Sequence, residues 1–238
     1  MRLDDPEVVR REYATEDGLQ ARVSVYSGVY GPNAWDVAVE AVREAAPCRV
    51  LEVGCGWGEF AARVADEIST ELVAVDLSPR MVELARERGV DAHVGDVQQL
   101  AFEDGAFDCA VANWMLYHVP DLDRALGELA RVLRPGGRLV AATNGLRHLG
   151  ELWDLVGRDR AVEPVRFFAE TGEDALRARF ARVERRDVTG SVTFATREDV
   201  AGYIASSIVH KHLADRVPPL DGPLTATRVA AIFVADKA

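Results

Sequence analysis

The segment Val50–Phe60, V-L-E-V-G-C-G-W-G-E-F, constrains this chain more than any other stretch. A short apolar run that ends in closely spaced glycines and passes into helix formers puts a turn at the carboxyl end of a buried strand. Parallel sheets bind ligands at that position. Gly54, Gly56 and Gly58 carry no side chain to hold a ligand away, and each can adopt positive φ at little cost. The helix that follows, from about Glu59 to Ile68, aims its first amides at whatever lies above the turn.

The dinucleotide fingerprint G-x-G-x-x-G fits this segment only in part, because its third glycine falls on Glu59 when counted from Gly54. A bulky acid there opposes the helix-strand packing and pyrophosphate contact that the glycine permits. A glycine-rich turn that binds nothing is the other reading, and an isolated match would leave the two about even.

The segments downstream change that balance. Glu71–Asp76, E-L-V-A-V-D, is an apolar strand ending on an acid 22 residues after Gly54. An acid so placed accepts hydrogen bonds from ribose hydroxyls. It could also cap the helix that Ser78-Pro79 opens and that runs to about Arg88. A third strand, Ala92–Val94, runs into Gly95-Asp96-Val97, and a fourth, Phe107–Ala112, leaves Asn113 to His118 at its carboxyl end. An amphipathic helix, Leu122–Leu133, meets Arg134-Pro135-Gly136-Gly137 before a fifth strand, Arg138–Thr143. Pro135 is expected to end that helix, and the glycines to allow a tight return into the sheet.

The G-x-G-x-G preceded by Glu52, the acid Asp76, the pair Gly95-Asp96 and the L-R-P-G-G return follow one another over about ninety residues. In this order they resemble the motifs of class I S-adenosylmethionine (SAM) dependent methyltransferases of the type 11 kind. The resemblance implies an α/β fold: a doubly wound, Rossmann-like sheet of seven mostly parallel strands, one of them antiparallel, with helices on both faces. It implies SAM as cofactor and S-adenosylhomocysteine as product. Glu52, Gly54, Cys55, Gly56 and Gly58 would surround the donor, with Cys55 contributing backbone and not sulfur. Asp76 and Leu77 would sit at the ribose, Asp96 would accept from the adenine amino group, and Val97 would pack on the ring. Asn113 and Trp114 would lie at the edge facing the methyl group.

Residues 1–238 read as one domain: a helical cap over 1–45, a donor-binding half over 46–144, acceptor-site elements over 145–227 and a last strand over 228–235. In the resembled family a segment like the cap folds over the cofactor and holds its amino-acid end. Tyr13, Arg22, Tyr26 and Tyr30 are the candidates, with Arg22 favoured because a guanidinium takes a carboxylate bidentately. Surface ion pairing is the competing role. Further along, Leu146–Arg158, Thr171–Phe180 and Arg197–Leu213 read as helices, and Arg182–Val188 and Arg228–Ala235 as strands. Trp153, Phe167, Phe168, Phe194 and Tyr203 are available for an acceptor pocket, although aromatic stripes are more often core.

His118 is the histidine placed at the ligand-facing edge, where a near-neutral pKa suits a general base toward a hydroxyl acceptor. Packing ahead of Val119-Pro120 is its bland alternative. N-W-M-L, starting at Asn113, departs from the Asn/Asp-Pro-Pro-aromatic motif of enzymes that methylate exocyclic amines or glutamine amides, which disfavours those substrates. A net charge of −11 with only two lysines, Lys211 and Lys237, opposes nucleic-acid binding. No apolar run is long enough to span a membrane, and the amino end lacks the pattern of a signal peptide, so a cytoplasmic location is expected. Cys48, Cys55 and Cys109 have no zinc-type spacing, so neither a metal nor a disulfide is expected. Three functions follow in order: a SAM-dependent methyltransferase with a small-molecule acceptor, an NAD-linked oxidoreductase, and a SAM-binding protein without catalysis.

Overall fold

The computed structural model describes residues 4–24, 29–158 and 167–238. In chain order, helices α1 (Pro6–Glu12) and α2 (Asp17–Ser24), strand β1 (Val29–Tyr30) and helix α3 (Ala34–Glu44) lead into β2 (Arg49–Val53) and α4 (Glu59–Glu67). Then come β3 (Glu71–Asp76), α5 (Pro79–Glu87), β4 (Asp91–Val94), β5 (Phe107–Asn113), α6 (Leu122–Val132) and β6 (Leu133–Asn144). The remainder comprises α7 (Gly150–Leu155), α8 (Gly172–Arg177), β7 (Arg182–Phe194), α9 (Arg197–Ala205) and β8 (Leu224–Asp236).

One sheet runs in the order β1-β7-β8-β6-β5-β2-β3-β4. The neighbours β6, β5, β2, β3 and β4 are parallel, and β8 lies antiparallel between β6 and β7. These seven strands match the expected sheet. The eighth, β1, corrects it: two residues pair antiparallel with β7 and add a second antiparallel strand. Two residues carry no readable periodicity. Their pairing depends on Gly190, where a Cβ would lie 2.4 Å from the Tyr30 carbonyl oxygen.

Alternating residues of the central strands feed both faces. Leu51, Val53, Ala110 and Phe233 pack with Leu126 and Leu129 of α6 on one side, and Val50, Val111, Val140 and Ile232 pack with α3 and Phe60 of α4 on the other. Phe233 is fully buried, edge-on to Phe167 at 5.7 Å, and Gly172 makes room for its ring.

Several boundaries depart from the sequence pattern. Helix α6 ends at Val132, so Pro135 does not terminate it directly. Pro135 lies in a bulge instead, because the β5–β6 register passes from Phe107↔Leu133 to Cys109↔Arg138 and leaves 134–137 looped out. Gly137 is needed there, since a Cβ would stand 2.9 Å from the Arg134 carbonyl oxygen. The helix expected over 197–213 divides into α9 and a 3₁₀ turn at Lys211–Arg216. Strands β7 and β8 are each 13 residues long and pair from Arg182↔Asp236 to Phe194↔Leu224. The far end of this long hairpin carries its own core, in which Val192, Phe194 and Ala226 pack with Trp153 of α7 and Val200 and Ile204 of α9. Phe167, Phe168, Phe194 and Trp153 are therefore core residues and not acceptor contacts. Cys48, Cys55 and Cys109 are free, and among the described residues no helix is long and apolar enough to cross a membrane.

Replacing Phe233 with Ala removes a ring from the centre of one core and should cost about 3–5 kcal/mol. Urea unfolding should show a lower midpoint with little change in slope.

Candidate functional site

The glycine loop divides its labour. Gly54, Gly56 and Gly58 all have positive φ, at 65°, 54° and 79°. A Cβ on Gly54 would stand 2.6 Å from Met115 Cβ, and one on Gly58 would stand 2.7 Å from Ala85 Cβ. Those two glycines let neighbouring elements approach. Gly56 is different, since its nearest neighbour would be Leu19 at 3.6 Å, and it opens onto a cavity. Gly58, expected beside the donor, is not among the residues that line the cavity, and its missing side chain lets α4 seat against α5.

The cavity, of about 760 Å³, follows the carboxyl ends of the parallel strands and is roofed by α1 and α2. Glu52, Gly54, Cys55 and Gly56 line it at β2, Asp76 and Leu77 at β3, Asp96 and Val97 after β4, and Asn113, Trp114 and His118 after β5. Asp76 Oδ2 accepts from Gly56 N at 2.9 Å and Oδ1 accepts from Ser78 N at 2.9 Å. The Leu77 amide adds to these, and of the roughly four lone-pair sites of a carboxylate one remains for a ligand hydroxyl. Ser78, and not Asp76, caps α5, accepting from Met81 N at 3.3 Å. Asp96 accepts from Gln98 N at 2.8 Å. The Cys55 thiol is turned inward and buried, and burial followed by the nearby Glu52 and Asp76 carboxylates raises its pKa far above the usual range. It is inert.

Two of the residues expected at the donor, Tyr13 and Trp114, shape the roof and the far wall. Tyr13 ends α1, and its hydroxyl lies 3.0 Å from His118 Nε2 while its carbonyl accepts from Ser78 Oγ at 2.7 Å. Trp114 holds φ at 51°, rare for a bulky side chain, and its Nε1 donates to Asn144 Oδ1 at 2.9 Å. Arg22 lines the roof, but Nη1 is committed to Glu12 at 2.6 Å and to the Ser206 carbonyl at 2.9 Å. Tyr30 is 82% exposed and lies off the cavity, although Val29 and Gly31 beside it line the wall. Tyr26 lies outside the described residues. Of the aromatic residues expected over 145–227, Tyr203 alone reaches the cavity, joined there by Asn144, His148 and Arg228, which the sequence pattern did not single out.

Whether these walls suit a nucleoside bearing an amino-acid tail is tested by their stranded polar atoms. Glu52 Oε2, both amide atoms of Asn113 and Arg22 Nη2 are buried without a protein partner among the described residues. Unpaired buried polar atoms are costly, and polar groups on a ligand would relieve them. With the bare Gly56 turn and Asp76 beside it, the residues present fit such a ligand.

Residues 51–141 match the family described as "Methyltransferase domain". A ubiquinone biosynthesis O-methyltransferase from Xanthomonas oryzae pv. oryzae is 33% identical over 166 residues, covering 64% of this chain and 69% of that protein. The chain belongs to the class I SAM-dependent methyltransferases. A malonyl-acyl-carrier-protein O-methyltransferase from Serratia marcescens is 36% identical over 119 residues, 48% of this chain and 46% of its own, so the chain spans less than half of that relative. Among solved structures, the cyclase SpnF superposes with a TM-score of 0.67 at 22% identity, covering 100% of this chain and 99% of its own, a likeness of fold alone. The methyltransferase family accounts for Glu59 where a dinucleotide site would have glycine, and the oxidoreductase reading finds no support.

Electrostatically, burial and then the Asp76 charge push the Glu52 carboxyl up to about 8. Burial also raises Asp76, against the pull of the Ser78 and Gly56 amides. Glu52 is therefore protonated in the folded state at pH values where an unfolded glutamate is ionised. Stability from this residue falls as pH rises from the ordinary carboxylate range to about 8 and is flat beyond. Glu52→Gln should become progressively more stable than the parent across that window, by on the order of a few kcal/mol at its upper end. Thermal unfolding of both proteins over a pH series checks this.

Proposed function

We propose that the chain transfers the SAM methyl group to a small-molecule acceptor inside this single cavity. The observation that carries the reading is the convergence of Gly56, Asp76, Asp96, Asn113 and His118 on one cavity at the carboxyl ends of adjacent parallel strands. Bound SAM supplies a methyl carbon activated by a sulfonium, and the transfer is an in-line displacement that depends on alignment and exclusion of water. In this reading Asp96 and Val97 hold the adenine, Asp76 holds the ribose hydroxyls, and Gly54, Gly56, Glu52 and Asn113 surround the amino-acid end. Tyr13, Leu19 and Arg22 close the roof against solvent. Arg22 has only Nη2 left for the SAM carboxylate, so that contact would be a single hydrogen bond and not a bidentate one.

His118 is proposed as the general base, taking the proton that an acceptor hydroxyl loses as its oxygen bonds to the methyl carbon. Tyr13 orients the ring through Nε2. Two relatives named as O-methyltransferases support an oxygen acceptor, and the net charge of −11 supports a small molecule over a nucleic acid. The donor half over 46–144 and the acceptor elements over 145–227 are read as parts of one domain.

Calorimetric titration should show SAM and S-adenosylhomocysteine binding and no binding of NAD; NAD binding without SAM binding would sink the proposal. With labelled SAM and a panel of small hydroxyl compounds, transfer should appear, and its persistent absence would favour SAM binding without methylation. His118→Gln should lower turnover at saturating substrate by about a hundredfold or more while leaving SAM affinity nearly unchanged. Unchanged turnover would remove His118 from the mechanism.

A further inference from the structure

One wall of the cavity is a short row across the sheet. Asn144, Ala230 and Val188 stand directly opposite one another on β6, β8 and β7, so their side chains share one face. All three line the cavity. Val188 and Ala230 belong to the same buried cluster as Phe60, against which Trp35 and Trp114 pack, and these aromatic residues line the cavity too. The charged residues of the described lining come from other places: Arg10 and Arg22 from the roof, and Glu52, Glu59, Asp76 and Asp96 from the ends of β2 and β3, the turn after β4 and the start of α4. Arg228, two residues from Ala230 on β8, is already engaged within the chain.

Within this apolar row Asn144 carries a polar group whose direction is fixed. Trp114 Nε1 donates to Asn144 Oδ1 at 2.9 Å, and an indole nitrogen can only donate, so the amide must turn its oxygen to the indole. Trp114 is itself held in place. Its backbone N donates to the Ala142 carbonyl at 2.8 Å, and its φ of 51° is one that a bulky residue keeps only where its surroundings impose it. Asn144 Nδ2 is left with two N–H donors that no group among the described residues accepts, and the atom is not sealed in the interior but open to the cavity that Asn144 lines.

We propose that the methyl acceptor is an uncharged, largely apolar molecule bearing a carbonyl oxygen, and that Asn144 selects it by donating to that oxygen from Nδ2. The inference deepens the methyltransferase reading and rests on it in calling this ligand the acceptor. A neutral amide donor matches a neutral carbonyl. A carboxylate placed against Val188 and Ala230 would shed its water there with one neutral group to replace it, which is unfavourable. Trp114 is a positioning residue in this arrangement, because its indole sets which end of the Asn144 amide meets the acceptor.

The test titrates the full chain, saturated with S-adenosylhomocysteine, with meta- and para-hydroxyacetophenone, with the matching isopropylphenols, in which a methyl group replaces the carbonyl oxygen, and with para-hydroxybenzoate. The better-bound ketone should bind at least about fivefold more tightly than its isopropyl counterpart, and more tightly than the benzoate. Asn144→Ala should reduce the ketone preference to about twofold or less. Asn144→Asp keeps an oxygen for Trp114 but replaces the two donors with a second carboxylate oxygen, so it should abolish or reverse the preference. S-adenosylhomocysteine affinity should stay unchanged in both variants, as proof that each folds. Trp114→Phe frees the amide to turn and should lower the preference without removing it; an unchanged preference there overturns the positioning role. Equal binding of ketone and isopropyl probes, binding of neither, tighter binding of the benzoate, or a preference that survives both Asn144 variants overturns the acceptor inference. Failure of S-adenosylhomocysteine to bind the parent protein overturns the methyltransferase reading instead, so the two failures are distinct.

Discussion

The carboxylate of Asp76 is the interaction on which the site depends. Half-buried at the end of β3, it accepts one amide from the glycine loop at Gly56 and another from Ser78 at the start of α5. Ser78 in turn donates to the carbonyl of Tyr13, and the Tyr13 hydroxyl meets His118. One side chain thus ties the loop, the helix behind it and the roof above it into a continuous network that ends on the residue proposed as base. Burying an ionisable group is unfavourable without such partners. Here the amide donors oppose the upward pull of burial on Asp76, whereas Glu52, with one oxygen stranded, is driven to about 8 and stays protonated at neutral pH. The two neighbouring carboxyls therefore differ in how far backbone amides offset their burial, with three amides serving Asp76 and one serving Glu52.

How much of this was legible follows from how local each feature is. The donor half is written in short strand-loop-helix units, so Gly54, Gly56 and Asp76 could be placed from their spacing and Asp96 from the family resemblance, and the five parallel strands with them. The glycines read alike in the sequence, yet only at Gly56 would a Cβ meet open space, because Gly54 is crowded by Met115 and Gly58 by Ala85. The far wall was legible only at Tyr203. Asn144, His148, Tyr203 and Arg228 come from the end of β6, the loop after it, α9 and β8, and only the long pairing of β7 with β8 brings them together. Tyr13 and His118 are 105 residues apart in sequence. No periodicity encodes such a meeting.

The roof joins both halves. Glu12 pairs with Arg22 and also accepts from Ile208 N at 2.8 Å, while Arg22 reaches the Ser206 carbonyl. Gly18 makes this approach possible, since a Cβ there would lie 2.6 Å from the Ser206 oxygen. On the other side Arg80 holds Glu16 at 2.9 Å. Because Glu12 is nearly buried, loss of either partner would strand a charge, so the pair is costly to break even where its net contribution is small. Helices α1 and α2 are short and could not persist alone in water. Their structure is borrowed from the walls they bridge, through the contacts of Glu12 and Arg22 with residues 206 and 208.

The acids at the ends of β3 and β4 give the proposed reaction a direction. Methyl transfer removes the positive charge of the sulfonium, so the attraction exerted by Asp76 and Asp96 falls once transfer is complete. Were Glu52 also ionised, the donor half would bind cationic SAM more strongly still, and more of that energy would be spent on the ground state than on the transition state. Keeping Glu52 neutral at physiological pH moderates the field while leaving a carboxyl that can still donate a hydrogen bond. The burial that destabilises an ionised Glu52 thus also limits how tightly the donor half holds its reactant.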